Sequence, residues 1–183
     1  MGYNFKDKKS LENYRNSIDH VIKNGGSERN GSFEHASIVL ERMLANAIKS
    51  IHVLSRTLNP KLYGADELVN AADEFTSNPG TTLKILVEEP PVAPFLSHPL
   101  LIRMLGRKNV EMRAIPKYLH DPIDINFAVM DSKCLRFEED KYHPLAVIES
   151  GDLEWSTKLE GVFDVVWKES SPITPPQSLL INC

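Results

Sequence analysis

Three short β-branched runs at regular intervals constrain this chain more than any other feature. They are Ser50-Ile51-His52-Val53-Leu54-Ser55, Leu83-Lys84-Ile85-Leu86-Val87 and Val110 to Ile115. Each follows a stretch with helical spacing. Ala36, Leu40, Met43, Leu44, Ala47 and Ile48 form one apolar stripe behind Ser32, a ready N-cap. Leu68, Ala71, Ala72 and Phe75 form a second stripe. A third helix is expected from about Ser97 to Gly106, with Pro99 in its first turn. Strands alternating with helices indicate βαβ units, because a parallel crossover needs a helix-length connection.

Further along, the pattern changes. Ile123, Ile125, Phe127 and Val129 alternate with Asp124, Asn126, Ala128 and Met130. That period of two predicts a half-exposed strand with Asp124 and Asn126 facing solvent. Asp131-Ser132-Lys133 reads as a turn, and Cys134 to Phe137 and Leu145 to Ile148 read as two more strands. A last helix starts near Asp152 and is expected to bury Trp155, Leu159, Val162, Phe163, Val166 and Trp167. The expected class is α/β, a mixed sheet flanked by helices.

The ends look less regular. An amphipathic helix capped by Ser10 carries Leu11, Tyr14, Ile18, Val21 and Ile22, and Asn24-Gly25-Gly26 stops it. Ser27 to Ser32 reads as a polar linker, and three prolines between Ser170 and Gln177 suggest a loose tail. The expected division is an N-terminal helix and linker over 1–31, an α/β domain over 32–170 and a flexible tail over 171–183.

Charge and cysteine content narrow the function classes. The chain has 21 Lys plus Arg against 25 Asp plus Glu, so it lacks the overall basic field of a nucleic-acid wrapper. The acid is concentrated late: residues 121–183 hold 12 acidic and 5 basic side chains. Two cysteines, Cys134 and Cys183, suggest neither a disulfide framework nor a four-ligand zinc site. No apolar run is long enough to span a bilayer, and the N-terminus lacks a signal-peptide core. Gly2 invites N-myristoylation, but Lys6 stands where that motif needs Ser or Thr. A cytoplasmic protein with no membrane partner is expected. There is no Gly-x-Ser-x-Gly, no His-Glu-x-x-His and no Gly-rich phosphate loop, and no cofactor or metal is implied.

The segments AIKSIHVLSRTL, TTLKILVEE, KNVEMRAIP, INFAVMDSKCLRFEED and LEGVFDVVW occur in an order that resembles the phospholipase D (PLD) superfamily over roughly Phe33 to Ser170. Phe163-Asp164-Val165-Val166-Trp167 is similar to the ending of that family's last helix, and Asp131-Ser132-Lys133 to its post-motif turn. The resemblance implies a PLD-like mixed sheet and a signature His-x-Lys-x4-Asp. Placed on that signature, the Asp is Asp131, the Lys position holds Asn126 and the His position holds Asp124.

Those replacements decide the chemistry. The family His attacks phosphorus, and the family Lys balances charge on the phosphoryl oxygens. Asp124 is a poor nucleophile towards a phosphodiester and places like charge beside an anionic substrate. At about 4 Å and an effective dielectric of about 20, that repulsion is about 4 kcal/mol. Asn126 donates a hydrogen bond but supplies no charge. Two alternatives for these positions are a solvated strand face and a repurposed pocket in which Asp124, Asn126 and Asp131 hold a cationic or polar ligand or a divalent metal.

The remaining candidates lie outside the signature. His120 and His143 flank the acidic strands, so a His120–Asp124 or His143–Asp131 acid-base dyad is one arrangement to test. Arg103, Arg107, Lys108, Arg113 and Lys117 form a basic cluster, either an exposed face or a local anion or nucleic-acid contact.

The reading is a catalytically degenerate PLD-like domain, a binding, sensory or regulatory module. The resemblance implies self-association as a homodimer, with a protein partner or small ligand besides. The alternatives are a divergent nuclease or phosphodiesterase using non-standard His or metal-binding Asp residues, and a nucleic-acid-binding accessory protein using the basic cluster.

Overall fold

The three β-branched runs become the parallel centre of an eight-stranded sheet. The computed structural model describes residues 5–180 apart from 144, so Gly2 and Cys183 lie outside the described residues. In chain order the elements begin with α1 (Phe5–Asn24), β1 (Gly26–Asn30), α2 (Phe33–Asn46), β2 (Ser50–Thr57), α3 (Pro60–Tyr63) and α4 (Asp66–Ser77). There follow β3 (Thr82–Glu89), α5 (Pro94–Ser97), α6 (Pro99–Arg103), β4 (Val110–Ala114) and a 3-10 turn at Lys117–Leu119. The chain continues through β5 (Asn126–Met130), β6 (Cys134–Glu138), β7 (Ala146–Ser150), α7 (Leu153–Glu169), β8 (Ser171–Pro172) and α8 (Gln177–Leu180).

The strand order is β1-β7-β6-β5-β2-β3-β4-β8. Strands β2, β3 and β4 are parallel, and every other pairing is antiparallel. The direction reverses between β2 and β5, next to the carboxyl end of β2. Open α/β sheets characteristically bind ligands at such a switch point.

Each face of the sheet has its own core. On one side, Ile18 and Val21 of α1, Val39 and Met43 of α2, and Leu68 and Ala72 of α4 pack on Ile51, Val53, Ile85 and Ala128. On the other, Leu159, Phe163, Val166 and Trp167 of α7 pack on Leu54, Leu86, Phe127, Val129 and Leu135. Helix α7 lies mainly over β2, β5 and β6. Ser32 and Asp152 cap α2 and α7 as expected, accepting from the N–H groups of His35 and Trp155.

Several expectations need correction. Helix α1 begins at Phe5, so Ser10 is inside it, and its Ile18 is fully buried. The stretch read as a polar linker is mostly β1, which pairs with β7 from Gly26↔Ser150 to Asn30↔Ala146. It is polar because it is an edge strand: Tyr14 Oη donates to the Arg29 carbonyl, and the Arg29 N–H donates to Glu28 Oε1. The helix expected from Ser97 to Gly106 is two short helices that meet at His98. Trp155 and Val162 on α7 are exposed. The segment read as a loose tail opens with β8 against β4, and the Ile173 N–H bonds the Met112 carbonyl. Among the described residues, no helix is long and apolar enough to cross a membrane.

Candidate functional site

Asn126 opens β5 directly opposite Glu138, which ends β6, so their side chains leave the same face of the sheet. Asn126 is buried at 8% exposure, contrary to the solvent-facing expectation. Its amide uses all its hydrogen-bonding capacity but one lone pair. Nδ2 donates to Glu138 Oε2 at 2.5 Å and to the Lys141 carbonyl at 3.2 Å. Oδ1 accepts from the Arg56 N–H at 2.7 Å. The reverse amide orientation would set an oxygen against the carboxylate, so the network fixes the flip.

Two buried ion pairs lie near this amide, one bonded to it by a carboxylate and the other linked to it by the Lys141 carbonyl. Arg136, two residues before Glu138 and so on the same face of β6, donates to Glu138 Oε1 at 2.5 Å. Lys141, in the β6–β7 loop, turns its ammonium inward to Glu88 Oε1 and Oε2 at 3.1 and 3.2 Å. It also donates to the carbonyls of His120 at 2.5 Å and Ile123 at 2.8 Å. Each pair is formally neutral. Tyr63 packs beside them; burial pushes its phenol up, opposed by the nearby Arg136 charge and a hydrogen bond with Ser55. Above the network, Arg56 pairs with Glu89 at 2.9 Å and stacks over Tyr142.

The space left at this point is about 100 Å³, lined by Ser55, Arg56, Asn59, Asn126, Glu138 and Tyr142 among others. Sites for organic ligands are typically about 300–1,000 Å³. The space at the centre is below that range.

The other signature positions do not gather here. Asp131 follows β5 at its far end, about 17 Å along an extended strand from Asn126. Its carboxylate accepts the N–H groups of Ile48, Lys49 and Ser50 at 2.7, 2.8 and 2.8 Å, and it takes a left-handed φ of 51°. It ties the turn between β5 and β6 to the start of β2. Asp124 is exposed in the loop before β5. The three positions thus cannot share one metal ion, and among the described residues no group of three or more His, Cys, Asp or Glu is placed to hold one.

Neither histidine dyad forms. His120 Nε2 bonds the Ile115 carbonyl at 2.9 Å, and His143 Nδ1 meets Asp140 Oδ2 at 2.5 Å. The basic cluster is divided. Arg107 and Arg103 both bond Asp73, at 2.6 and 3.1 Å. Burial raises the Asp73 carboxyl, but these two guanidiniums outweigh it and hold the group below its ordinary value. Arg113 donates to the Trp167 carbonyl and lies over that ring. Lys108 and Lys117 remain exposed.

Sequence reasoning missed Glu88, Arg136, Glu138 and Lys141. The readable signal was Arg136 and Glu138 at period two with buried Cys134. Two opposite charges on the inward parity of an apolar strand point to a buried pair.

Residues 32–179 match the family described as "Domain of unknown function (DUF7931)". The chain belongs to this family. No protein of curated function matches this DUF7931 member. Its fold is PLD-like. It is similar to Nuc, a phospholipase D family member from Salmonella typhimurium, at 12% identity and TM-score 0.59, covering 82% of this chain and 99% of that one. NucT from Helicobacter pylori is similar at 10% identity and TM-score 0.59, over 81% and 99% of the two chains. TrmBL2, an archaeal chromatin protein that binds DNA, is similar at 16% identity and TM-score 0.60. That match covers 92% of the DUF7931 chain and 62% of TrmBL2.

Proposed function

We propose that this DUF7931 protein is a catalytically degenerate PLD-like domain, a cytoplasmic binding or regulatory module that pairs with a second copy. The observation that carries this reading is the bond from Asn126 to Glu138. In PLD chemistry the signature Lys meets the phosphoryl group; here the residue at its position meets a carboxylate of the chain itself. An internal anion, compensated by Arg136, sits where an external one would be received. Asp124 adds no nucleophile, and the cleft beside Asn126 is small, about 100 Å³. Pairing is what the PLD resemblance implies, and exposed apolar side chains on α7 at Leu153, Val162 and Val165 support it.

A hydrolytic reading has less to stand on, since His120 and His143 have partners other than Asp124 and Asp131. A nucleic-acid reading is favoured only by fold likeness to a chromatin protein, while three arginines of the basic cluster have partners within the chain.

The test is turnover of bis-p-nitrophenyl phosphate, single-stranded DNA and duplex DNA by the folded protein, with EDTA and divalent-metal arms. Light scattering on the same sample gives the mass. No turnover and a dimer mass are expected. Activity that falls in Asp124→Ala and Asp131→Ala would overturn the reading.

A further inference from the structure

The α7 face of the sheet is only partly covered. Cross-strand partners place Arg29, Val147, Phe137, Phe127, Leu54 and Leu86 in one row across β1, β7, β6, β5, β2 and β3. Helix α7 buries Phe127, Leu54 and Leu86. Beyond its edge, over β6, β7 and β1, lies a groove of about 550 Å³, within the range of organic-ligand sites.

The groove is apolar below and charged at the rim. Phe137 and Val147 are half-buried in its floor, Leu145 stands over them, and Trp155 of α7 meets Phe137 edge-on at 5.0 Å between ring centroids. Gly31 also lines the groove beside Leu145. The rim bears one cation, Arg29, and two carboxylates, Glu139 and Asp140. Asp140 is already engaged by the Tyr142 N–H at 2.8 Å and by His143. Among the described residues, the Arg29 guanidinium and the Glu139 carboxylate bond no other group of the chain. The Arg29 backbone is nevertheless held on both sides, by Tyr14 and Glu28. Its guanidinium thus starts from a fixed base, with the Arg29 backbone about 10 Å from that of Phe137 across two strand spacings.

We infer that this groove binds a small zwitterion with a large apolar side chain, of the amino-acid class, a reading that rests on the chain being a binding module. The ligand's carboxylate meets Arg29, its ammonium meets Glu139, and its side chain lies on Phe137, Val147 and Leu145. One free charge of each sign beside an apolar floor is complementary to that chemistry. A simple organic anion would leave Glu139 unpaired beside it, and a simple cation would leave Arg29 so.

The probes are L-phenylalanine, L-tryptophan and L-leucine, titrated calorimetrically into the full chain, with phenylacetate and phenethylamine each lacking one charge. Binding with Kd below about 1 mM is expected for at least one amino acid, at least about tenfold tighter than for either single-charge analogue. Arg29→Gln and Glu139→Gln, both surface changes, weaken it at least about tenfold, and Lys168→Gln does not. No binding at about 10 mM, equal binding of phenylacetate, or unchanged affinity in Arg29→Gln would overturn the inference. Turnover read separately keeps the two claims apart. Absent binding with absent turnover rejects the groove alone, and turnover rejects the module reading whatever the groove binds.

Discussion

The amide nitrogen of Asn126 lies 2.5 Å from a carboxylate oxygen of Glu138, across the first pair of β5 and β6. With this bond, the chain meets a buried amide with a carboxylate of its own, which Arg136 compensates. The site is held shut by charges that need each other, so its integrity can be read through stability.

Removing one member of the Lys141–Glu88 pair leaves the other buried and uncompensated. Both side chains are under 5% exposed. Lys141→Met is expected to cost about 3–5 kcal/mol in urea denaturation. Adding Glu88→Leu removes the stranded carboxylate, so the double variant recovers part of that loss. Additive losses would show that the two groups are not coupled.

Asp131 supports the turn through three backbone N–H groups rather than through chemistry. Asp131→Ala removes three charge-assisted hydrogen bonds, two of them to exposed N–H groups, and sets alanine in a left-handed turn position, an expected loss of about 1–3 kcal/mol. Asp131→Asn keeps one acceptor oxygen and tolerates the left-handed backbone, so its loss is smaller. Equal unfolding midpoints for the wild type and Asp131→Ala would contradict this role.

Stability should fall on mild acidification. Burial lowers the pKa of both His52, stacked on Phe163, and His98, bonded to the Leu58 carbonyl. For His52 the Glu160 charge opposes that shift, and for His98 the Leu58 carbonyl does. Below the ordinary value of 6.5 the unfolded chain takes up protons that the folded chain resists. Stability is therefore full above that pH and declines as pH falls from 6.5 towards the folded-state values. Denaturation between pH 8 and pH 5 (about this window) checks it, and His98→Gln should flatten the slope. A slope that His98→Gln leaves unchanged would exclude His98 as a source.

Much of the scaffold was legible because apolar periodicity reports burial directly. The runs at 50–55 and 83–87 lie within β2 and β3, the run at 110–115 spans β4 and one residue more, and Ser32 and Asp152 cap the helices they precede. Strand β1 was not legible, because Gly26-Ser-Glu-Arg-Asn30 buries little and is held by pairing with β7. Asn126 was placed on the wrong side of the water because β5 is covered on both faces, so alternation along it no longer separates inside from outside. Glu88, Glu138 and Lys141 drew no reading from the sequence; what buries them is pairing between distant segments, which spacing does not encode. Asn126, singled out by the resemblance, lies in the buried network bonded to Glu138.

The most direct test is inorganic phosphate titrated against the ¹⁵N-labelled protein, following the side-chain amide of Asn126. Both of its hydrogens are already committed, to Glu138 and to the Lys141 carbonyl. The expected result is no saturable shift of that resonance up to about 10 mM phosphate. A saturable shift at Asn126, abolished in Asn126→Ala, would show an anion entering the centre and would contradict the account.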